Sequence, residues 1–432
     1  MGTDSTARRA AGARFAPGVQ PGAAALLLYV FLPFSTGYFL SFLFRSVNAV
    51  IAPDLMRDVG VGASGLGFLT AAFFLGFAAV QLPLGVMLDR YGAARVQAAL
   101  LSIAALGAAL FAAADSPAAL VVARALIGLG CAGGLMAAFK AIVKWYPPQR
   151  LSLVNGCYLA VGGLGAIVAT RPVEQALAFT DWRGLFVALA LASVASAAAI
   201  WALVPRGDAA ESPPPLGTQV REIGVIFRDP LFWRFVPVSI LGMGGTLSIQ
   251  GLWAGPWLGD VAGLDRAAVA DGLLVLSVAM TVGFVLTGLV ADALRARGVS
   301  SLTVMAAGSV VGIVTLAVIT LRVDPGGWWH WIVLGLFGQV TAIVYPAQSR
   351  HFGPAYAGRA GTANTLLVFS GIFVLQFAMG AVIDLWPRDA AGRYPPQAYQ
   401  AAFGLVLLGL CASVAWLLRP GEDKRAALAK VI

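Results

Sequence analysis

Twelve stretches of this chain are each long and apolar enough to cross a lipid bilayer, and no other feature constrains its fold as strongly. They run Ala24–Pro53, Leu66–Leu88, Val96–Ala114, Leu120–Val143, Leu151–Thr170, Gly184–Val204, Phe235–Leu258, Leu273–Ala291, Leu302–Leu321, Trp329–Tyr345, Thr362–Leu385 and Tyr399–Leu418. A spanning helix needs about 20 predominantly apolar residues, because in hydrocarbon every backbone N–H and C=O must find its partner within the segment. Composition agrees: only 11% of residues are charged, against roughly 25% in a soluble domain. A soluble fold is excluded and an all-α integral membrane protein is expected. Arg8, Arg9 and Arg14 ahead of the first stretch resemble the start of a secretory leader. The stretch is longer than a leader's apolar region, however, and no small-residue cleavage pattern follows, so it is read as a retained span.

Basic residues divide the loops into two classes. One side carries Arg90 and Arg95 between spans two and three, Lys140, Lys144 and Arg150 between four and five, Arg206, Arg221, Arg228 and Arg234 at the half-way connection, and basic tails. The opposite loops carry fewer, among them Arg57, Arg171 and Arg266. Lysine and arginine stay in the cytoplasm, so both termini are expected there, with the protein in the cytoplasmic (inner) membrane. The formal charge of +9 is then a matter of topology and implies no nucleic-acid partner. Trp182, Trp328, Trp329 and Trp386 collect at the opposite boundary, where amphipathic rings sit among headgroups. Cys131, Cys157 and Cys411 lie in apolar runs with no C-x-x-C spacing, so they read as packing residues and no metal site is expected.

The longest polar connection separates six spans from six. The expected organisation is a cytoplasmic tail (1–22), a six-helix bundle (23–204), a cytoplasmic linker (205–234), a second six-helix bundle (235–418) and a cytoplasmic tail (419–432). An echo crosses the linker: GVMLDRYGAAR at 85–95, between spans two and three, recurs as GLVADALRARG at 288–298, between eight and nine. Equivalent loops six spans apart indicate parallel repeats related by a pseudo-two-fold axis along the membrane normal. An isolated D-R-x-G loop would be no more than a basic turn; its repetition argues against that reading.

The first of these loops resembles the signature of the major facilitator superfamily, and RALIGLG at 124–130 is similar to the family's R-x-x-x-G-x-G stretch in the fourth helix. The resemblance extends over the whole chain through the span count, the half-way loop and the repeat. It implies two bundles around a central cavity lined by helices 1, 4, 7 and 10. It also implies that Asp89, Arg90 and Arg95, with Asp292 and Arg295 in the second copy, act as gate residues that hold a conformation and bind no cargo.

Charge inside a span is costly and tends to be functional. Two arginines meet that description, Arg45 and Arg124. The first span contains GYFLSFLFRSVNAVIAP at 37–53, which resembles helix 1 of the organophosphate/phosphate antiporters and of the anion:cation symporters. In both branches the arginine grips an anion, as the guanidinium fork suits carboxylate or phosphate. The competing reading of Arg45 is a side chain that snorkels to the headgroups. Arg124 is expected to belong to a structural or proton-linked network, as a candidate for coupling. Two departures matter. Helix 7 lacks the second arginine of the organophosphate branch, which demotes phosphate esters, and Phe44 and Cys131 stand where the symporter branch has acids. Tyr38, Asn48, Gln250, Trp253, Gln339, Tyr345 and Asn364 are the further candidates for the cargo site, since a few polar groups in an apolar cavity fix a ligand's orientation. Each can equally serve as an interhelical hydrogen bond.

No G-x-S-x-G, H-E-x-x-H or P-loop occurs, so no enzyme activity and no cofactor is expected. His330 and His351 read as interfacial or loop residues. The resulting expectation is a monomeric secondary transporter in contact with membrane lipid. It would take up a small organic anion, a carboxylate by preference, with protons or another ion as possible co-substrates. The alternatives are drug or metabolite efflux by proton antiport, and anion exchange without proton coupling.

Overall fold

The computed structural model describes residues 22–205, 223–353 and 356–419, and among these there is no strand. Eleven helices are long and apolar enough to span a membrane, and a shorter apolar helix, Leu151–Val168, completes twelve. In chain order they are α1 (Ala23–Ser46, extended by Asn48–Val59), α2 (Ala63–Tyr91), α3 (Ala93–Ala113), α4 (Pro117–Trp145), α5 (Leu151–Val168) and α6 (Trp182–Leu203). The second half follows as α7 (Pro230–Asp260), α8 (Arg266–Ala296), α9 (Ser301–Thr320), α10 (Trp329–Phe352), α11 (Ala357–Ile383) and α12 (Pro396–Leu418). With twelve crossings, the described ends of the chain and the Asp89 loop share one side, called here the terminus side; the other is the far side.

Several helices begin earlier than apolarity alone predicts, because polar caps start them. Asp229 accepts from the N–H groups of Leu231 and Phe232 with Pro230 in the first turn, so α7 begins at Pro230 and not at Phe235. Asp265 likewise starts α8 at Arg266, seven residues before the expected Leu273. Arg234 thereby falls inside α7. Its Nε donates to the Leu417 carbonyl at 2.8 Å and its Nη2 to that of Arg419 at 3.2 Å, closing the end of α12. Of the expected linker, residues 206–222 lie outside the described residues, as do the expected tails apart from Gly22 and Arg419; residues 223–228 are helical.

Helices 1, 4, 7 and 10 are all interrupted. Helix α1 turns at Val47, α4 at Ala132 and Gly133, α7 contains two π-helical stretches (Ser239–Gly244 and Ile249–Trp253), and α10 tightens to a 3-10 turn at Val340–Ile343. At membrane depth such irregular backbone is tolerated where protein or a cavity surrounds it. Pro53 lies past the break, inside the second part of α1, where it offers no N–H to the Ala49 carbonyl. That carbonyl faces Gly255 of α7 so closely that a Cβ there would lie 2.4 Å from its oxygen. The halves also meet along α2 with α11 and along α5 with α8.

Within the first half, Gly128 of α4 and Gly76 of α2 pack reciprocally against the neighbouring backbone. A Cβ on Gly128 would lie 1.8 Å from the Phe73 carbonyl oxygen, and one on Gly76 would lie 2.0 Å from that of Ala125. The glycines of the R-x-x-x-G-x-G stretch thus have a steric role, letting helices approach to backbone distance.

Candidate functional site

Arg45 lies in the last turn of the first part of α1, just before the break, and is only 7% exposed. Its guanidinium is surrounded by rings: Phe42 at 4.5 Å, Phe369 at 5.1 Å and Phe77 at 5.6 Å. Phe77 is on α2 and Phe369 on α11, so the enclosure draws on both halves. The two rings stack on one another with centroids 4.2 Å apart, and Phe74 lies beside Phe369. Ring faces attract the cation, each by about 0.5–2 kcal/mol, but they leave hydrogen-bonding capacity unused. Among the described residues Arg45 has no carboxylate partner, and its buried Nε has no acceptor. A snorkelling arginine would extend to the headgroups; this one is held among aromatic side chains.

Arg124 is fully buried and donates from Nη1 to the Phe44 carbonyl at 3.0 Å. Phe44 directly precedes Arg45, so α4 grips α1 at the residue next to the candidate anion site. Phe73 and Phe111 flank the Arg124 guanidinium.

The remaining polar candidates fall into three groups. Toward the far side, Asn48 Nδ2 donates to Thr70 Oγ1 at 2.9 Å, with its Oδ1 unpartnered, and Gln250 Nε2 donates to Ser46 at 3.3 Å and Ser277 at 3.2 Å. Trp253 Nε1 donates to the Gln376 carbonyl at 3.3 Å, while the Gln376 amide is buried without a partner. On α10 and α11, the Tyr345 hydroxyl pairs with Thr365 at 3.1 Å, and the side chains of Asn364 and Gln339 are fully buried with both polar atoms unpartnered. Finally, Tyr38 stacks on Tyr158 at 4.7 Å, and the Tyr158 hydroxyl donates to the carbonyls of Gly134 and Phe34. Arg45, Tyr38 and Asn48 therefore share one helix with the break, while the α10 and α11 groups belong to the other half.

The gate candidates sit on the terminus side. Asp89 pairs with Lys140 of α4 at 2.5 Å, within its own half; Arg90 and Arg95 are exposed; Asp292 pairs with Arg295. His330, in the first turn of α10, is fully buried beside Trp257 and Trp331, and His351, in the last turn of α10, pairs at 2.9 Å with Asp229, the cap of α7.

Sequence reading missed the Phe42, Phe77 and Phe369 enclosure, because an aromatic residue in an apolar span looks like any packing residue. It also missed the far-side links between halves. Asp54 binds Arg266 at 2.8 Å, and Arg171 reaches Asp271 at 3.4 Å.

Comparison with known proteins points the same way as the fold. A family model described as Major Facilitator Superfamily matches residues 34–375. A probable sulfoacetate transporter of Cupriavidus necator is 26% identical over 278 residues, covering 60% of this chain and 64% of that protein. A hexuronate transporter of Escherichia coli is 26% identical over 159 residues, 37% of each chain. The chain thus matches less than two thirds of the length of either relative. Among solved structures, a bacterial homologue of the human lysosomal transporter Spinster superposes with a TM-score of 0.68 at 19% identity, covering 95% of this chain and 97% of the other.

Proposed function

The chain belongs to the major facilitator superfamily and is a secondary transporter, and from that premise we propose that it takes up a small organic anion, a carboxylate or sulfonate, at Arg45. The observation that carries this reading is a guanidinium buried between the two halves with no acid among the described residues to neutralise it. An uncompensated buried charge is costly, by several kcal/mol. An arriving anion removes that cost and adds charge-assisted hydrogen bonds of about 1.5–3 kcal/mol. The relatives named for sulfoacetate and hexuronate transport are consistent with such cargo. Export of amphipathic cations fits less well, since the acids within the described spans lie within two turns of the helix ends and none pairs with Arg45. In this reading the terminus side is cytoplasmic, and the structure is the form closed to the outside.

Ligand-induced stabilisation tests the cargo class. Purified protein is expected to gain thermal stability with short carboxylates and sulfonates, rising with concentration as binding to the folded state requires. A panel in which only lipophilic cations stabilise would reject the proposal.

Asp89 supplies a separate test of gating. In this far-side-closed form it pairs with Lys140 within its own half; the family resemblance implies partners across the halves in the opposite form. Asp89→Asn should therefore enrich the far-side-closed population, by biasing an equilibrium that already exists. Unchanged distance distributions across the bundle would contradict that role.

A further inference from the structure

We propose that Asp384 is the latch of the far-side gate, closing the two halves by capping helix α2 from the opposite half. The first N–H groups of any helix lack partners inside it and need an acceptor. Helices α4, α6, α7, α8 and α9 carry their own in Ser116, Asp181, Asp229, Asp265 and Ser300. At α2 the capping position is Gly62, which has no side chain to offer. The acceptor comes instead from the end of α11. Asp384 Oδ1 accepts from the Ala63 N–H at 2.9 Å and Oδ2 from the Ser64 N–H at 2.7 Å; the hydroxyls of Ser64 and Tyr394 also donate to the carboxylate.

The surroundings are shaped for this bond. A Cβ on Gly62 would lie 2.8 Å from the Asp384 carboxylate, so glycine is what lets the acid sit over the helix end. One turn away, a Cβ on Gly380 would lie 2.4 Å from the Ala63 carbonyl oxygen, and one on Gly67 would lie 2.7 Å from that of Gln376, which puts the two helices at backbone distance. Arg388 Nη2 donates to the Val61 carbonyl at 2.9 Å and lies over the Tyr394 ring. Burial pushes the Asp384 carboxyl up, but the donors from Ser64, Tyr394 and the Ala63 backbone outweigh it and hold the group below the usual carboxylate range. The latch therefore remains charged at neutral pH, the form that best meets the partial positive charge of a helix N-terminus. When the far side opens, α2 loses its cap and water must replace it, so the cap favours the closed form without making it permanent.

The experiment separates a latch from a helix cap that merely aids folding. Nitroxides are placed at Phe179 and Val323, exposed far-side positions in opposite halves, in a background where the exposed Cys157 and Cys411 are serine. Asp384→Ala, which removes the acceptor, is expected to raise the ratio of long to short distances roughly twofold to thirtyfold, the range that loss of one cap spans. The double variant Asp384→Ala with Gly62→Asp gives α2 a cap of its own without tying it to α11. A latch predicts that this protein folds and stays shifted toward the open form, and this variant decides the matter if Asp384→Ala alone does not fold. Asp389→Asn, which alters a neighbouring exposed acid, should leave the distribution unchanged. Wild-type distances in Asp384→Ala, or their full return in the double variant, would overturn the proposal.

Discussion

Replacing Arg45 with alanine is expected to weaken anion binding tenfold to a hundredfold while leaving the unliganded protein at least as stable as wild type. The first part follows from losing charge-assisted hydrogen bonds of about 1.5–3 kcal/mol, since each 1.4 kcal/mol is a factor of ten. The second follows from the absence of a carboxylate partner among the described residues: removing a buried guanidinium that no acid neutralises strands no opposite charge. Arg45→Lys should fall between the two, because it keeps the charge and loses the planar fork. Arg124→Lys provides the contrast. Its guanidinium holds the Phe44 carbonyl at 3.0 Å, so the shorter fork-free side chain should slow turnover with a milder loss of affinity. Titration calorimetry beside thermal melts reads both quantities. An Arg45→Ala protein that binds as tightly as wild type would show that the arginine does not hold the cargo.

The second large effect is steric and concerns assembly. Gly128→Ala would place a methyl group 1.8 Å from the Phe73 carbonyl oxygen, inside any possible contact distance, and the obstacle is backbone that cannot rotate away. Overpacking of a close-packed interface costs about 1–3 kcal/mol or more. Because Gly76 makes the reciprocal contact on the same pair of helices, neither α2 nor α4 can retreat without parting at both points. A markedly lower yield of monodisperse protein and a lower melting temperature are expected. Wild-type behaviour of Gly128→Ala in size-exclusion chromatography and melting would mean that the α2–α4 approach is looser than described.

The spans were legible in the sequence because hydrocarbon leaves the backbone few options, and apolar length reports that directly. Their starts were less legible. Apolarity is blind to Asp229 and Asp265, whose carboxylates set the first turns of α7 and α8 several residues earlier. The break in α1 at Val47 has no mark in the sequence: Pro53, the nearest helix breaker, lies six residues further on, within the second part of the helix. At the candidate site the charged member stood out, since an arginine within a span is rare. Its enclosure did not: Phe77 and Phe369 are brought to Arg45 only when α2 and α11 pack, and nothing in either span distinguishes these rings from their neighbours. The far-side latch was hidden for the same reason. Asp384 and the Ala63 N–H it binds are 321 positions apart, and Gly62 announces only a missing cap.

The most direct measurement is uptake into proteoliposomes, comparing wild type and Arg45→Ala with a panel of labelled short carboxylates and sulfonates and with a labelled lipophilic cation. The account predicts that wild type accumulates at least one of the anions, that Arg45→Ala loses most of that uptake, and that neither protein moves the cation. Cation transport by wild type with no anion uptake, or anion uptake undiminished in Arg45→Ala, would contradict it.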